Sequence, residues 1–198
     1  MELWVATSNS HKLKEYKNLT TSIDISIHSQ NEIDFYTSPE ETGKTFYENA
    51  VIKAESFHST LGKSDIYVMA EDSGLVVEGL DGLPGIHSAR YAGKNARDSE
   101  NNAKLLKMLK FKSPANRNAH FHCSICLIGP DKKKIEFTGQ IQGTISKKLS
   151  GTQGFGYDPL FIPEGEEKTM ADLGDIFKNK HSHRSKAFKQ LISLITAH

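Results

Sequence analysis

The apolar positions of this chain change rhythm along its length, and the changes mark the elements. Leu3 to Thr7 is a short apolar run that reads as a strand, and from Ser10 to Leu19 the spacing of Leu13, Tyr16 and Leu19 predicts a helix. Ile23, Ile25 and Ile27 alternate with polar residues and predict a second strand. After a loop from Gln30 to Lys44, the positions Phe46, Ala50, Ile52, Ala54 and Phe57 set a second helix, which Gly62 stops. Ile66 to Ala70 is a third strand, expected to deliver Glu71 and Asp72 into a turn where Ser73-Gly74 reverses the chain before Leu75. Gly79 to Gly93 is glycine-rich yet too apolar for a linker, so an ordered loop packed near the active face is expected. Asp98 or Ser99 caps a helix through Leu105, Leu106, Met108 and Leu109, ended by Ser113-Pro114. His120 to Ile128 and Ile135 to Ile141 alternate with period two around Gly129-Pro130-Asp131, a hairpin signal whose wet turn takes the lysines at 132 to 134. Finally Ser182 caps a helix with Phe188, Leu191, Ile192 and Ile195 as one stripe.

Length and charge narrow the classes. A chain of 198 residues buries a sizeable core and fits one domain over residues 1–198, in two lobes. With 25 basic and 24 acidic residues the formal net charge is +1, so bulk nucleic-acid binding is not expected. The N-terminus runs straight into a strand without a basic, apolar leader, and no run reaches the length of a membrane span; the expectation is a cytoplasmic protein with no membrane partner. Cys123 and Cys126 stand three apart in an alternating run, which points them to opposite faces, so two buried thiols are expected rather than a disulfide or a shared metal.

Five stretches carry candidate chemistry. Thr7-Ser8-Asn9-Ser10-His11-Lys12 leads a strand through a polar turn into a helix, where backbone N–H groups, the helix dipole and Lys12 suit a phosphate; an ordinary helix cap uses the same residues. Glu40-Glu41-Thr42-Gly43 precedes a helix, where acids also favour the dipole. The adjacent Glu71 and Asp72 at a strand end need water, a partner or a metal. Gly151 to Phe161 sets Phe155, Gly156, Tyr157 and Asp158 among glycines, where a ring offers a flat face to a base or plugs into the core. His183 and Arg184 in the first turn of the last helix oppose its dipole and hint at a ligand.

In this order, T-x-N-x-x-K, E-E-T-G, D-S-G-L, P-G-x-x-S-A-R-Y, G-F-G-Y-D-P and K-N-x-x-S-H-R resemble the inosine triphosphate pyrophosphatase family over Thr7 to Arg184. The resemblance implies an α/β fold with a long mixed central sheet, flanking helices and two lobes around a nucleotide-binding cleft. It also implies hydrolysis of non-standard purine nucleoside triphosphates (dITP, ITP, XTP) to the monophosphate and pyrophosphate, and a homodimer. Carried over by position, Thr7, Ser8, Asn9, Ser10, His11 and Lys12 become the triphosphate turn, and Ser73 a phosphate contact. Glu41 and Asp72 become ligands of Mg²⁺, with Asp72 also the proton acceptor for the attacking water. Phe155, Gly156, Tyr157 and Asp158 become the base loop, and Lys178, His183 and Arg184 complete the nucleotide pocket, the last two as donors to the 6-oxo group of the base. Two positions depart from the family's habit: Glu71 stands where Asp is usual, and Ser8 where Gly is frequent. A Maf-type pyrophosphatase with another base preference and a nucleotide-binding regulator without turnover are the alternatives.

Overall fold

The computed structural model describes residues 1–197. Its strands are β1 (Glu2–Val5), β2 (Ser26–Ser29), β3 (Tyr67–Val77), β4 (Asn118–Ile128), β5 (Lys134–Ile145) and β6 (Phe161–Pro163). Its helices are α1 (Ser10–Leu19), α2 (Phe46–Leu61), α3 (Asp98–Lys112), α4 (Met170–His181) and α5 (His183–Ile195). The strands form a six-stranded sheet in the order β2-β1-β3-β4-β5-β6. It is mixed: β1 runs parallel to β2 and β3, while β5 and β6 are antiparallel. The expected class, α/β with a mixed sheet and flanking helices, is the one observed.

Two compact units share the chain. The first holds Met1–Asp72, Cys123–Gly139 and the segment from Arg184 onward; the second holds Ser73–His122 and Gln140–His183. In the first unit β1, β3 and the C-terminal half of β4 are buried on both faces, which is why they read as nearly unbroken apolar runs, whereas β2 and β5 keep exposed positions. One face packs Leu3, Val5, Met69, Cys123, Ile125 and Leu127 against Tyr16, Phe188, Leu191 and Ile195, the residues of the α1 and α5 stripes. The other face packs Trp4, Val68, Ala70, Cys126 and Ile128 against Ala50, Ala54 and Phe57 of α2. Cys123 and Cys126 therefore lie on opposite faces, both buried and free, as their spacing predicts. The second unit gathers Leu75, Val77, Leu105, Leu109, Phe121, Ile141, Phe161 and Met170.

Three expectations about elements need correction, and two elements carry no sequence signal. Ser73-Gly74 does not reverse the chain: β3 runs unbroken from Tyr67 to Val77 through Glu71-Asp72-Ser73-Gly74, and Gly74 is not among the glycines of positive φ. Pairing and burial on both sides outweigh the local turn preference of Asp-Ser-Gly. The second strand starts at Ser26 rather than Ile23, because the N–H groups of Ile23 and Ile25 bond back to Thr20 and Ile23 in turns; the isoleucines still pack on the core. Arg97 precedes α3 as its N-cap, with Glu100 Oε2 accepting the Arg97 N–H at 2.7 Å, and Asp98 is the first helical residue. Neither α4 nor β6 is predicted by periodicity. Gly174, at φ 78° and ψ −175°, breaks the helical path inside α4 and with it the rhythm of its apolar positions.

Candidate functional site

Because side chains on a strand alternate, β3 sends Glu71 and Asp72 to opposite faces, and each meets a different set of charges. Glu71 is 2% exposed. The Arg184 guanidinium grips it as a fork, Nε to Oε2 at 2.7 Å and Nη2 to Oε1 at 2.9 Å, and Lys12 Nζ lies 2.6 Å from Oε1. The Tyr16 hydroxyl also donates to Oε2, and the third guanidinium nitrogen, Nη1, donates to Glu15 at 2.5 Å. Burial by itself would raise the Glu71 carboxyl; Arg184 and Lys12 overcome it and hold the group well below the usual carboxylate range. Burial also opposes the charge of Arg184, and Glu71 and Glu15 restore it, so its basicity is raised. Two carboxylates and two cations thus close on one another in the interior.

Asp72 faces α2. Its Oδ2 accepts from Asn49 Nδ2 at 3.1 Å, while Asn49 Oδ1 accepts the Gly43 N–H at 2.8 Å, tying the Glu41–Gly43 loop to the middle of β3. Lys53 Nζ lies between two carboxylates, 2.7 Å from Glu41 Oε1 and 3.5 Å from Asp72 Oδ1. Burial lowers the Lys53 amine, but Asp72 and Glu41 outweigh it and leave the amine more basic than usual. The two carboxylates are less enclosed than Glu71 itself, at 24% side-chain exposure for Glu41 and 10% for Asp72 against 0% for Glu71. Among the described residues no group of three or more His, Cys, Asp or Glu side chains gathers for a metal. A pair of carboxylates sharing a cation nonetheless suits the donor set of a magnesium ion, which takes one or two carboxylates and fills its other positions with water and phosphate oxygens.

The turn before α1 is ordered by its own side chains. Asn9 Oδ1 accepts from the N–H groups of His11 and Lys12 at 3.0 and 3.1 Å, and Thr7 Oγ1 accepts from Asn9 N–H at 3.2 Å. The helix cap is the arrangement observed, with Lys12 in the first turn of α1. Ser8 and Ser10 are exposed, as is His11. Ser8 is not among the residues of positive φ, so the serine stands where glycine is frequent without backbone strain.

The glycine-rich loop lies in the second unit. Asp158 Oδ2 accepts from the Phe155 N–H at 2.9 Å and from Lys178 Nζ at 2.5 Å, and that ammonium rests 4.2 Å from the centre of the Phe155 ring. Phe155 is half-buried and Asp158 and Lys178 are buried. The Gly156 N–H donates to Asp98 and its carbonyl accepts from Asn102. Tyr157 donates to the Ser88 carbonyl at 2.9 Å, so the ordered loop of Gly79 to Gly93 touches this one. A Cβ on Gly154 would meet Asp158 Oδ2 at 2.1 Å, which fixes glycine there.

Of the residues singled out by sequence, the structure brings Phe155, Asp158 and Lys178 together, and separately Glu41 with Asp72. Lys12 and Arg184 meet at Glu71. His183 stacks on Phe121 with ring centres 4.8 Å apart, and Ser73 follows Asp72 on the opposite strand face. Arg184, expected to offer donors to a base, has all three nitrogens engaged by Glu71 and Glu15. Sequence reasoning missed Asn49 and Lys53. Their signal was present but faint: they are one turn apart on α2, polar positions beside the apolar Ala50 and Ala54.

Comparison with known proteins gives a consistent picture. A sequence profile of the Ham1 family matches residues 3–194. A curated dITP/XTP pyrophosphatase of Bdellovibrio bacteriovorus is 49% identical over 193 residues, covering 97% of this chain and 96% of that protein. One of the same description from Listeria monocytogenes is 44% identical over 187 residues, 94% of this chain and 91% of its own. The solved structure of a HAM1 protein from Coxiella burnetii superposes with a TM-score of 0.90 at 38% identity, covering 100% of both chains.

Proposed function

This chain belongs to the Ham1 family, and from that membership and the arrangement of its charges we propose that it hydrolyses dITP, ITP and XTP to the monophosphate and pyrophosphate with Mg²⁺. The observation that carries the chemical part is the Asp72–Lys53–Glu41 group: two carboxylates from different elements converge on one ammonium.

Glu41 and Asp72 would hold the metal. When bound it supplies charge neutralisation of the polyphosphate and a lowered pKa for a coordinated water. Asp72, held by Asn49, accepts the proton as the water oxygen attacks the α-phosphorus. The new P–O bond replaces the bond to the bridging oxygen, and that oxygen leaves with the electron pair on pyrophosphate. Lys12 and the N-terminus of α1 are assigned to the β- and γ-phosphates, where they stabilise charge on the leaving group. Glu71 holds the Lys12 ammonium by an ion pair, a positioning role rather than metal ligation, so the added methylene relative to the family's usual Asp bears on that clamp. Phe155 is assigned to stack the base on the ring face opposite Lys178. Stacking alone does not separate purines, since every base has a π-face. Selectivity then falls to donors that meet the 6-oxo group of hypoxanthine and xanthine, and with Arg184 engaged by Glu71 and Glu15 that role is assigned to His183.

No helix among the described residues is long and apolar enough to cross a membrane. A cytoplasmic location and the homodimer implied by the resemblance belong to the proposal, and light scattering of the pure protein tests the second. The deciding experiment incubates the protein with Mg²⁺ and dITP, XTP, ATP, GTP or dTTP and identifies the products. Pyrophosphate and dIMP or XMP are expected, with turnover abolished by EDTA. Orthophosphate with a diphosphate product, or preference for dTTP, would overturn the assignment.

A further inference from the structure

We infer that the start of α3 holds and aims the glycine-rich loop, with Asp98 and Asn102 gripping the two backbone groups of Gly156 and so setting how Phe155 is presented to the base. The inference rests on the base-binding role proposed above for this loop.

The Gly156 N–H donates to Asp98 Oδ2 at 2.6 Å, and the Gly156 carbonyl accepts from Asn102 Nδ2 at 2.9 Å. Asp98 and Asn102 are four residues apart and therefore neighbours on one face of the helix. Gly156 itself sits at φ +61°, and a Cβ added there would meet nothing within 4 Å. Glycine is needed for the left-handed backbone and not for space, and the two hydrogen bonds hold that backbone from outside the loop. Its neighbours are fixed by other groups: Phe155 N–H by Asp158, and the Tyr157 hydroxyl by the Ser88 carbonyl. Gly156 is thus the point at which α3 acts on the peptide that follows the stacking ring.

Asn102 carries a second mark. It is 4% exposed, and its Oδ1 is buried with no hydrogen-bond partner among the described residues. A half-satisfied buried amide is a poor choice for stability alone, because its own acceptor is left unpaired in the interior. What Asn102 contributes is the other half of the amide, the donor on Gly156. Its loss should therefore move the loop and spare the fold.

The base lies far along the substrate from the reacting phosphorus, so a misaimed loop weakens ground state and transition state alike. That raises KM and leaves kcat. The experiment uses the full-length protein as wild type, Asn102→Leu, Asn102→Gln and Asp98→Ala, with dITP and Mg²⁺. In Asn102→Leu the KM is expected to rise about three- to tenfold with kcat within about twofold, the effect of one lost hydrogen bond. Amide hydrogen exchange over residues 151–158 should quicken by a similar factor while α3 and Tm stay put. Asp98→Ala, at an exposed position, should shift both readouts in the same direction by less. Asn102→Gln retains a donor and should recover part of the loss. A fall in Tm together with kcat at constant KM would make Asn102 merely structural and overturn the inference, as would unchanged exchange and KM in both Asn102→Leu and Asp98→Ala. Should wild type turn over no nucleotide, the function proposed above fails, and the exchange arm still decides whether α3 holds the loop.

Discussion

Glu71 and Asp72 are neighbours in the chain and strangers in the fold. On one face of β3 the Glu71 carboxylate is enclosed by Arg184, Lys12 and Tyr16, and on the other Asp72 shares Lys53 with Glu41 near a partly open edge. The first arrangement is costly to break, because removing one partner leaves charges stranded in a low dielectric. In the second, the Glu41 carboxylate keeps access to water, which the proposed metal would need. On the function proposed above, the same residue class serves chiefly architecture on one side of a strand and chemistry on the other.

Substitutions should separate them sharply. Asp72→Asn is expected to cut turnover by about 10²–10⁴-fold while unfolding free energy changes by less than about 1 kcal/mol. Steady-state rates on dITP together with urea titration check both halves, and a folded variant with near-native kcat would remove Asp72 from the reaction. Glu71→Ala should act first on the fold, costing about 3–5 kcal/mol of stability by stranding Arg184 and Lys12. A urea midpoint equal to that of wild type would show that the enclosed network holds nothing together.

Acid should find the same difference. The Glu71 carboxyl lies well below its ordinary value in the folded state, so its contribution is complete above the unfolded value of about 4.3 and is lost as pH falls toward the folded one. Lys53, raised in the folded state, contributes below its unfolded value of about 10.4 and loses that as pH rises. Melting temperatures taken from pH 7 downward should thus fall on the acid side, with a shallower acid limb in Glu71→Gln; identical limbs would assign acid sensitivity to other carboxylates. The smallest effect is expected from Glu71→Asp, about 1 kcal/mol from a fork that reaches less well, with kcat preserved. Complete loss of activity there would mean that the clamp is tuned to the longer side chain.

Much of this was legible in sequence where the signal is local. The stripe of α5, the β4–β5 hairpin and the opposed cysteines follow from spacing alone. Strand β3 was half-read, because Asp-Ser-Gly is turn material by propensity and only pairing with neighbouring strands keeps it extended. The partner of Glu71 is 113 residues away, at Arg184, and no periodicity reports such a meeting. Lys53 and Asn49 carry only a faint signal of their own in the sequence, and their roles emerge only where α2 packs against the middle of β3. In each case the unread part is a long-range contact, and the physics that fixes it is absent from any short window.

The thiols offer a last consequence. Burial and the neighbouring Glu71 carboxylate push the Cys123 thiol well above its ordinary value, and burial raises Cys126 to about 11. Since the thiolate is the nucleophile, the native chain should be almost silent to maleimides and to aromatic disulfide reagents. Each labelling event then records a moment when the packing around β4 has come apart. Cys126→Ser leaves Cys123 as a clock at the centre of the enclosed charges, and its labelling rate, divided by that of a free thiol, gives the fraction of molecules open at any instant.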